Sequence, residues 1–396
     1  MDSGSATNRR EFLKFLAASP LLRVVEQVRP GSDVIASPKQ AMNVFDFDAV
    51  ARQKLPPAHY GYIATGVDDD ATLRANREGF SRFQIRSRRL IDVSRIDTSI
   101  RLMGGTWNTP IILAPVSGQR AFHPDAEIAV ARAARSKGHL QMLALLTSAS
   151  IEDVNTARGE PVWFQLYATT DWNVTRSMVK RAESAGCPVL VFTVDQISGT
   201  NRETLRRFEL QDTRDCKLCH DRSSLQARTV RRPMFSGLEL KGVAFQPPVT
   251  WDYVKRLKDT TKMRLVIKGI VTREDADLAV TAGADAIVCS NHGGRAEETG
   301  RSSIESLPEV LEGAAGRIPV LVDSGFRRGT DIFMALALGA AGICVGRPYI
   351  WGLAAFGQEG VEAVLDILTR ELQLAMRYAG TPAISKITRA HVVERP

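Results

Sequence analysis

Proton chemistry in this chain is most plausible where a histidine leaves an apolar run. Ile287-Val288-Cys289-Ser290-Asn291-His292-Gly293-Gly294-Arg295 carries His292 out of a strand-like stretch and into a glycine-rich turn. Imidazole takes up a proton near neutral pH, and a neighbouring carboxylate holds its tautomer and stabilises its charged form. Asp195, which follows the apolar run at 189–193, is the candidate partner. Arg202 and Arg295 lie in the loops that follow Asp195 and His292. A guanidinium can hold a carboxylate through two parallel hydrogen bonds. Each arginine alone could be solvated surface charge, but the coincidence of both with strand-end loops favours a ligand.

A phosphate signal lies further on. Asp323-Ser324-Gly325-Phe326-Arg327 and Gly346-Arg347-Pro348 each set glycine beside a cation after an apolar run. Glycine lets backbone N–H groups approach phosphate, and arginine neutralises its charge. Lys268, at the end of another run, could stabilise negative charge on a cofactor ring or an intermediate.

These residues need a scaffold that gathers strand ends. Short apolar runs at 111–114, 141–144, 162–166, 189–193, 265–268, 286–290, 320–323 and 342–345 alternate with amphipathic stretches such as 125–136, 172–185, 273–281 and 328–338. Eight buried strands, each followed by a helix or loop, predict an α/β fold, a closed parallel (β/α)₈ barrel. A doubly wound open sheet would carry a glycine-rich turn after its first strand, and none is present. In a barrel, Gln165, Tyr167, Thr193, Asp195, Lys268, Ser290, His292, Asp323, Gly325 and Gly346 share one rim. Residues 1–40 read as an N-terminal extension and 41–396 as the barrel domain, helical over 43–80 and with a long loop at 196–250. Loops of that length tend to be lids or binding loops.

Composition bounds the alternatives. The chain has 396 residues, 44% hydrophobic, and a formal charge of +8. That excess favours anionic partners, but neither zinc-finger spacing nor a basic tract interleaved with aromatics points to nucleic acid. No run is long and apolar enough for a transmembrane helix. Asn8-Arg9-Arg10-Glu11-Phe12-Leu13-Lys14-Phe15-Leu16 resembles a twin-arginine export signal, yet the apolar stretch after it is short and lacks a clear cleavage site. A cytoplasmic location is expected, with export as the alternative. Cys187, Cys289 and Cys344 sit in apolar surroundings where burial is the default. Cys216-Lys217-Leu218-Cys219-His220 spells C-x-x-C-H, open to haem attachment, a metal corner, or thiols or a disulfide without catalytic duty. No metal site is assigned. The segment 202–232 carries nine Lys/Arg against five Asp/Glu, which would suit contact with an anionic surface or partner.

Together Lys268-Gly269-Ile270, the stretch from Ser290 to Arg295, Asp323-Ser324-Gly325-Phe326-Arg327-Arg328-Gly329 and Gly346-Arg347-Pro348 resemble the FMN-dependent (S)-2-hydroxy acid oxidase and dehydrogenase family, over about residues 46–392. The resemblance implies FMN as cofactor and oxidation of a small (S)-2-hydroxy acid to a 2-oxo acid. It makes His292 the base and Asp195 its partner. Arg202, Arg295 and Tyr62 would bind the substrate carboxylate, while Tyr167 approaches the hydroxyl. Pro115, Ser117, Gln165, Thr193, Lys268 and Ser290 would surround the flavin. Asp323, Gly325, Arg327, Gly346 and Arg347 would hold its ribityl-phosphate end. Electrons would pass to oxygen or to another acceptor such as a quinone or cytochrome, and a homo-tetramer is implied. A non-redox barrel enzyme acting on a phosphorylated metabolite is the competing reading, but it leaves Arg202, Arg295 and Tyr62 without a joint purpose.

Departures from the family pattern matter too. Ser117 stands where relatives usually have alanine or glycine beside the flavin, Ala144-Leu145-Leu146 replaces a more polar or aromatic stretch, and Gly199 replaces a larger apolar residue. A roomier, apolar side-chain pocket is the expectation.

Overall fold

Residues 34–196, 199–214, 229 and 232–395 are described by the structure, a computed structural model. Three helices come first: α1 (Phe45–Lys54), α2 (Pro57–Ala64) and α3 (Ala71–Glu78). β1 (Phe83–Ile85) pairs antiparallel with the last strand, β12 (Val392–Glu394), so the two ends of the barrel domain are stitched together. The hairpin of β2 (Ile100–Leu102) and β3 (Gly105–Trp107) precedes the barrel. Leu102 joins the buried barrel core, and Ile100, Met103 and Trp107 pack against it, closing the end opposite the C-terminal rim.

The barrel is closed and runs in the order β10-β11-β4-β5-β6-β7-β8-β9, every pair parallel. Its strands are β4 (Ile111–Leu113), β5 (Leu140–Ala144), β6 (Trp163–Leu166), β7 (Val189–Thr193), β8 (Arg264–Ile270), β9 (Ala286–Cys289), β10 (Val320–Val322) and β11 (Gly342–Val345). Only Arg264 and Gly269 among them are not buried, which is why the runs read as continuous rather than alternating. Trp163, Met142, Val191, Val266, Val288 and Leu321 fill the interior, so the barrel is a packed core and not a pore.

Helices return the chain between strands: α4 (Ala126–Lys137), α5 (Ile151–Arg158), α6 (Trp172–Ser184), α7 (Glu203–Gln211), α8 (Trp251–Thr260), α9 (Arg273–Thr281), α10 (Ser303–Ala314), α11 (Gly329–Leu338) and α12 (Arg347–Ala379). Side chains start them, as where Ser302 and Glu305 form a reciprocal capping box on α10. The stretch expected as a long loop at 196–250 contains α7, which docks on α2: the Phe208 ring lies edge-on to Tyr60, and a Cβ on Gly61 would sit 2.6 Å from Phe208. α12 breaks at Phe356–Gly357, where Gly357 adopts φ 61° against His123.

Two buried asparagines tie α3 to the barrel. Asn76 and Asn291 exchange side-chain hydrogen bonds of 2.9 and 2.8 Å. Gly325 (φ 84°) passes so close to α3 that any Cβ there would overlap the Asn76 carbonyl oxygen.

Candidate active site

At the C-terminal rim lies a cavity of about 400 Å³. Tyr62, Pro115, Ser117, Tyr167, Arg202, Lys268, His292, Arg295, Asp323, Gly325, Arg327, Gly346 and Arg347 all line it. Asp195, Gln165, Thr193 and Ser290 stand one layer behind, each bonded to a neighbour in the site.

His292 enters the cavity because the backbone turns left-handed just past β9, with φ 58° at His292, 70° at Gly293 and 71° at Gly294. Its Nδ1 lies 2.7 Å from Asp195 Oδ1, and its Nε2 is 3.5 Å from the Tyr167 hydroxyl. Burial lowers the pKa of His292 below the usual histidine value despite the opposing pull of Asp195, leaving the ring neutral and able to accept a proton at pH 7. Burial alone would raise Asp195, but His292 and Lys268 outweigh it and keep the carboxylate ionised. Tyr167 is pushed upward by burial and by Asp195, so its phenol stays protonated.

Tyr62 arrives from α2. The Arg295 guanidinium lies 4.4 Å from the centre of its ring and donates to the Tyr62 and Thr65 carbonyls. Arg202, from the start of α7, donates to Thr200 Oγ1 (2.9 Å) and reaches the Arg295 carbonyl (3.5 Å). Burial opposes ionisation of Tyr62, yet Arg295, Arg202 and Arg232 together hold its pKa below the ordinary phenol value. Arg295, Arg202 and the Tyr62 phenol, gathered on one wall of the cavity, have the donors to hold a carboxylate.

Lys268 is buried on β8, donating to Ser290 Oγ at 2.7 Å and pairing with Asp323 at 3.0 Å. Burial would lower its pKa; Asp323 and Asp195 reverse that and hold it charged. Gln165 donates to Thr193 Oγ1 (3.0 Å) and accepts from the Leu145 N–H. This floor of amide, hydroxyl and ammonium groups has the donors and acceptors a polar, planar ring requires. Beyond it, Arg347 donates to the carbonyls of Ile63, Gly293 and Thr65, and Arg327 to the carbonyl of Phe326 while lying 4.7 Å from the Trp351 ring centre. Burial, then the proximity of Arg327, pulls Arg347 down to about 9; burial, then Arg77, pulls Arg327 down to about 10. Two crowded guanidinium groups, Arg327 buried and Arg347 half-buried, beside the left-handed turn of Ser324–Gly325 and the start of α12 at Gly346 form a cradle for a dianion. The donor set therefore fits a flavin phosphate at one end and its ring at the other.

Not all the expectations survive unchanged. Of Ala144-Leu145-Leu146 only Leu146 lines the cavity, and Gln196, Thr200, Arg206, Glu209 and Gln246 share its wall, so the side-chain region is mixed rather than apolar. Among the described residues nothing lies within 4 Å of a Cβ placed on Gly199. Cys187, Cys289 and Cys344 are buried free thiols. Residues 8–16 and 216–220, with the twin-arginine and C-x-x-C-H sequences, lie outside the described residues. Sequence reasoning missed Asn76, Arg77, Ser324 and Arg206. Asn76 and Arg77 carry no local signal, because their partners are more than 200 residues away.

A cofactor cradle, a histidine–carboxylate pair and a cationic carboxylate site on one barrel rim define a flavin-dependent oxidoreductase of hydroxy acids. The chain belongs to the FMN-dependent dehydrogenase family, whose model matches residues 51–394. It is 40% identical to glycolate oxidase 1 of Oryza sativa subsp. indica over 365 residues, 88% of this chain and 95% of that protein. It is 38% identical to the peroxisomal (S)-2-hydroxyacid oxidase GLO3 of Arabidopsis thaliana over 354 residues, 89% of this chain and 96% of that one. Among solved structures, mandelate oxidase superposes with a TM-score of 0.78 at 36% identity, covering 90% of this chain and 99% of the other. Lactate oxidase of Pediococcus acidilactici gives 0.81 at 31% identity, covering 90% and 96%. The protein is an FMN-dependent enzyme that oxidises a small 2-hydroxy acid to a 2-oxo acid.

The cytoplasmic expectation is corrected by these relatives, since those whose names state a compartment, from rice and Arabidopsis, are peroxisomal. A short apolar stretch near the N-terminus bears on export and is silent about organelles. Among the described residues no helix is long and apolar enough to cross a membrane.

Proposed function

We propose that the chain oxidises an (S)-2-hydroxy acid with His292 as the base, and the observation that carries this is the 2.7 Å Asp195–His292 contact with Nε2 turned toward Tyr167 in the cavity. Arg295, Arg202 and Tyr62 bind the substrate carboxylate and orient the molecule. The substrate hydroxyl then lies between the Tyr167 phenol and His292 Nε2. His292 Nε2 takes the hydroxyl proton, and the Asp195 carboxylate stabilises the imidazolium that results. Tyr167, kept protonated, donates to the substrate oxygen and fixes its direction.

Bound FMN supplies a two-electron acceptor at the substrate carbon. Pro115, Ser117, Gln165, Thr193, Lys268 and Ser290 hold its ring; Asp323, Gly325, Arg327, Gly346 and Arg347 hold its ribityl-phosphate end. The charged Lys268 favours negative charge on that ring. The electrons leave to oxygen or to another acceptor, and the assembly is a homo-tetramer.

The test is His292→Ala purified with FMN and mixed anaerobically with short, branched and aromatic (S)-2-hydroxy acids. Bleaching at the wild-type rate would show that His292 is not the base. In the wild type, bleached in the same way, colour return on admitting oxygen distinguishes oxidase from dehydrogenase, and sedimentation gives the subunit count.

A further inference from the structure

The helix α7 turns one face to the cavity. Arg202 at its N-cap, Leu205, Arg206 and Glu209 all line the wall, and offsets of three, four and seven residues place them on one side of a helix. Arg202 has its partners in Thr200 and Arg295. Arg206 is different: among the described residues its guanidinium meets no hydrogen-bond or ion-pair partner.

The charges around the cavity bear on the same residue. Arg202, Arg206, Lys268, Arg295, Arg327 and Arg347 line the cavity against the carboxylates of Asp323 and Glu209. With the ionised Asp195 behind Lys268, a phosphate dianion held by Arg327 and Arg347 and one carboxylate held by Arg295 and Arg202 bring these charges to balance. Nearby, the half-buried Arg232 lies against Gly118, with Ser148 Oγ at 3.3 Å and no carboxylate in ion-pair range among the described residues, and it adds one positive charge that these anions leave unmatched. Leu146, Val116 and Leu205 line the same cavity and offer apolar contact for a short run of methylenes.

We infer that the substrate is a 2-hydroxy acid carrying a second carboxylate, bound by Arg206 at the mouth of the cavity. This rests on the hydroxy acid oxidation proposed above and narrows its substrate class. One guanidinium edge matches one carboxylate in shape and charge.

The experiment compares the FMN-loaded enzyme on matched pairs: (S)-2-hydroxybutanoate with (S)-malate, and (S)-2-hydroxypentanoate with (S)-2-hydroxyglutarate. Because the pair forms at a solvent-exposed mouth, kcat/KM for a dicarboxylate should exceed that of its partner by about fivefold. The ratio should shrink as salt rises toward ~1 M. Arg206→Gln should bring the ratio toward one, and Arg206→Lys should keep part of it. Equal or better use of the monocarboxylates by the wild type would overturn the second carboxylate while leaving hydroxy acid oxidation intact. A dicarboxylate preference untouched in Arg206→Gln would overturn the assignment to Arg206. Failure of every acid to bleach the flavin would overturn both readings.

Discussion

Replacing Asp195 with Asn removes one negative charge and keeps nearly the same shape. In the native site the carboxylate lies 2.7 Å from His292 Nδ1 and is buried, with Lys268 at 3.9 Å. When His292 takes the substrate proton, a positive ring faces that carboxylate, with charge centres about 4 Å apart. At an effective dielectric of about 20, the attraction is about 4 kcal/mol. Losing it should slow anaerobic flavin reduction by about 10³-fold if the proton is fully transferred at the transition state, and by about 30-fold if it is half transferred. The pH profile should move as well. Neutral His292 is the active form, so kcat/KM rises with pH through its pKa; burial places that limb below the free histidine value of 6.5. Asp195 holds the limb up, so Asp195→Asn should shift it to still lower pH. Stopped-flow reduction of variant and wild type across pH 5–8 measures both effects. A rate loss of less than about tenfold, with FMN retained and the limb unmoved, would refute the electrostatic role assigned to Asp195.

Other substitutions probe separate parts of the site. Lys268→Met strands the Asp323 carboxylate that Lys268 meets at 3.0 Å, and breaking a buried pair should cost roughly 3–5 kcal/mol. Thermal denaturation checks this, and an unchanged Tm would contradict it. Gly325→Ala forces a Cβ onto the Asn76 carbonyl at a left-handed position and should lower both Tm and FMN retention; native-like flavin content after gel filtration would argue against the close approach. Tyr62→Phe removes one hydrogen bond to the substrate carboxylate and should lower kcat/KM by about tenfold or more, the scale of a charge-assisted bond. Equal kinetics would remove Tyr62 from the carboxylate site.

The barrel was legible because its strands are buried on both faces. The runs at 189–193 and 342–345 coincide with β7 and β11, and those at 141–144 and 265–268 differ from β5 and β8 only at their ends. The placement of polar residues on the rim was legible for the same reason: a polar residue after an apolar run has nowhere to stand but the strand end. What stayed hidden depends on distance or on context. β1 and β12 are three residues each and pair across the whole domain, so neither has a local pattern strong enough to stand alone. α7 did carry a signal, the spacing of Arg202, Leu205, Arg206 and Glu209, but its few apolar residues and high charge resemble a solvated loop. Asn76 is an ordinary helix residue until Asn291 arrives beside it.

The left-handed run at His292, Gly293 and Gly294 has a consequence for the order in which the chain is completed. The Gly294 carbonyl accepts from the Val67 N–H, and a Cβ on Gly294 would sit 2.6 Å from the Leu73 nitrogen. The turn that presents His292 is thus pressed against residues made at the opposite end of synthesis. A ribosome delivers the N-terminal portion first, and domains fold as it emerges. Here residues 67–76 must wait for 291–325 before their contacts exist, and this long closure comes late. A nascent chain that has built half its barrel consequently holds neither a positioned base nor a closed phosphate cradle, so oxidative chemistry is withheld until the strands through β11 and the start of α12 have been made.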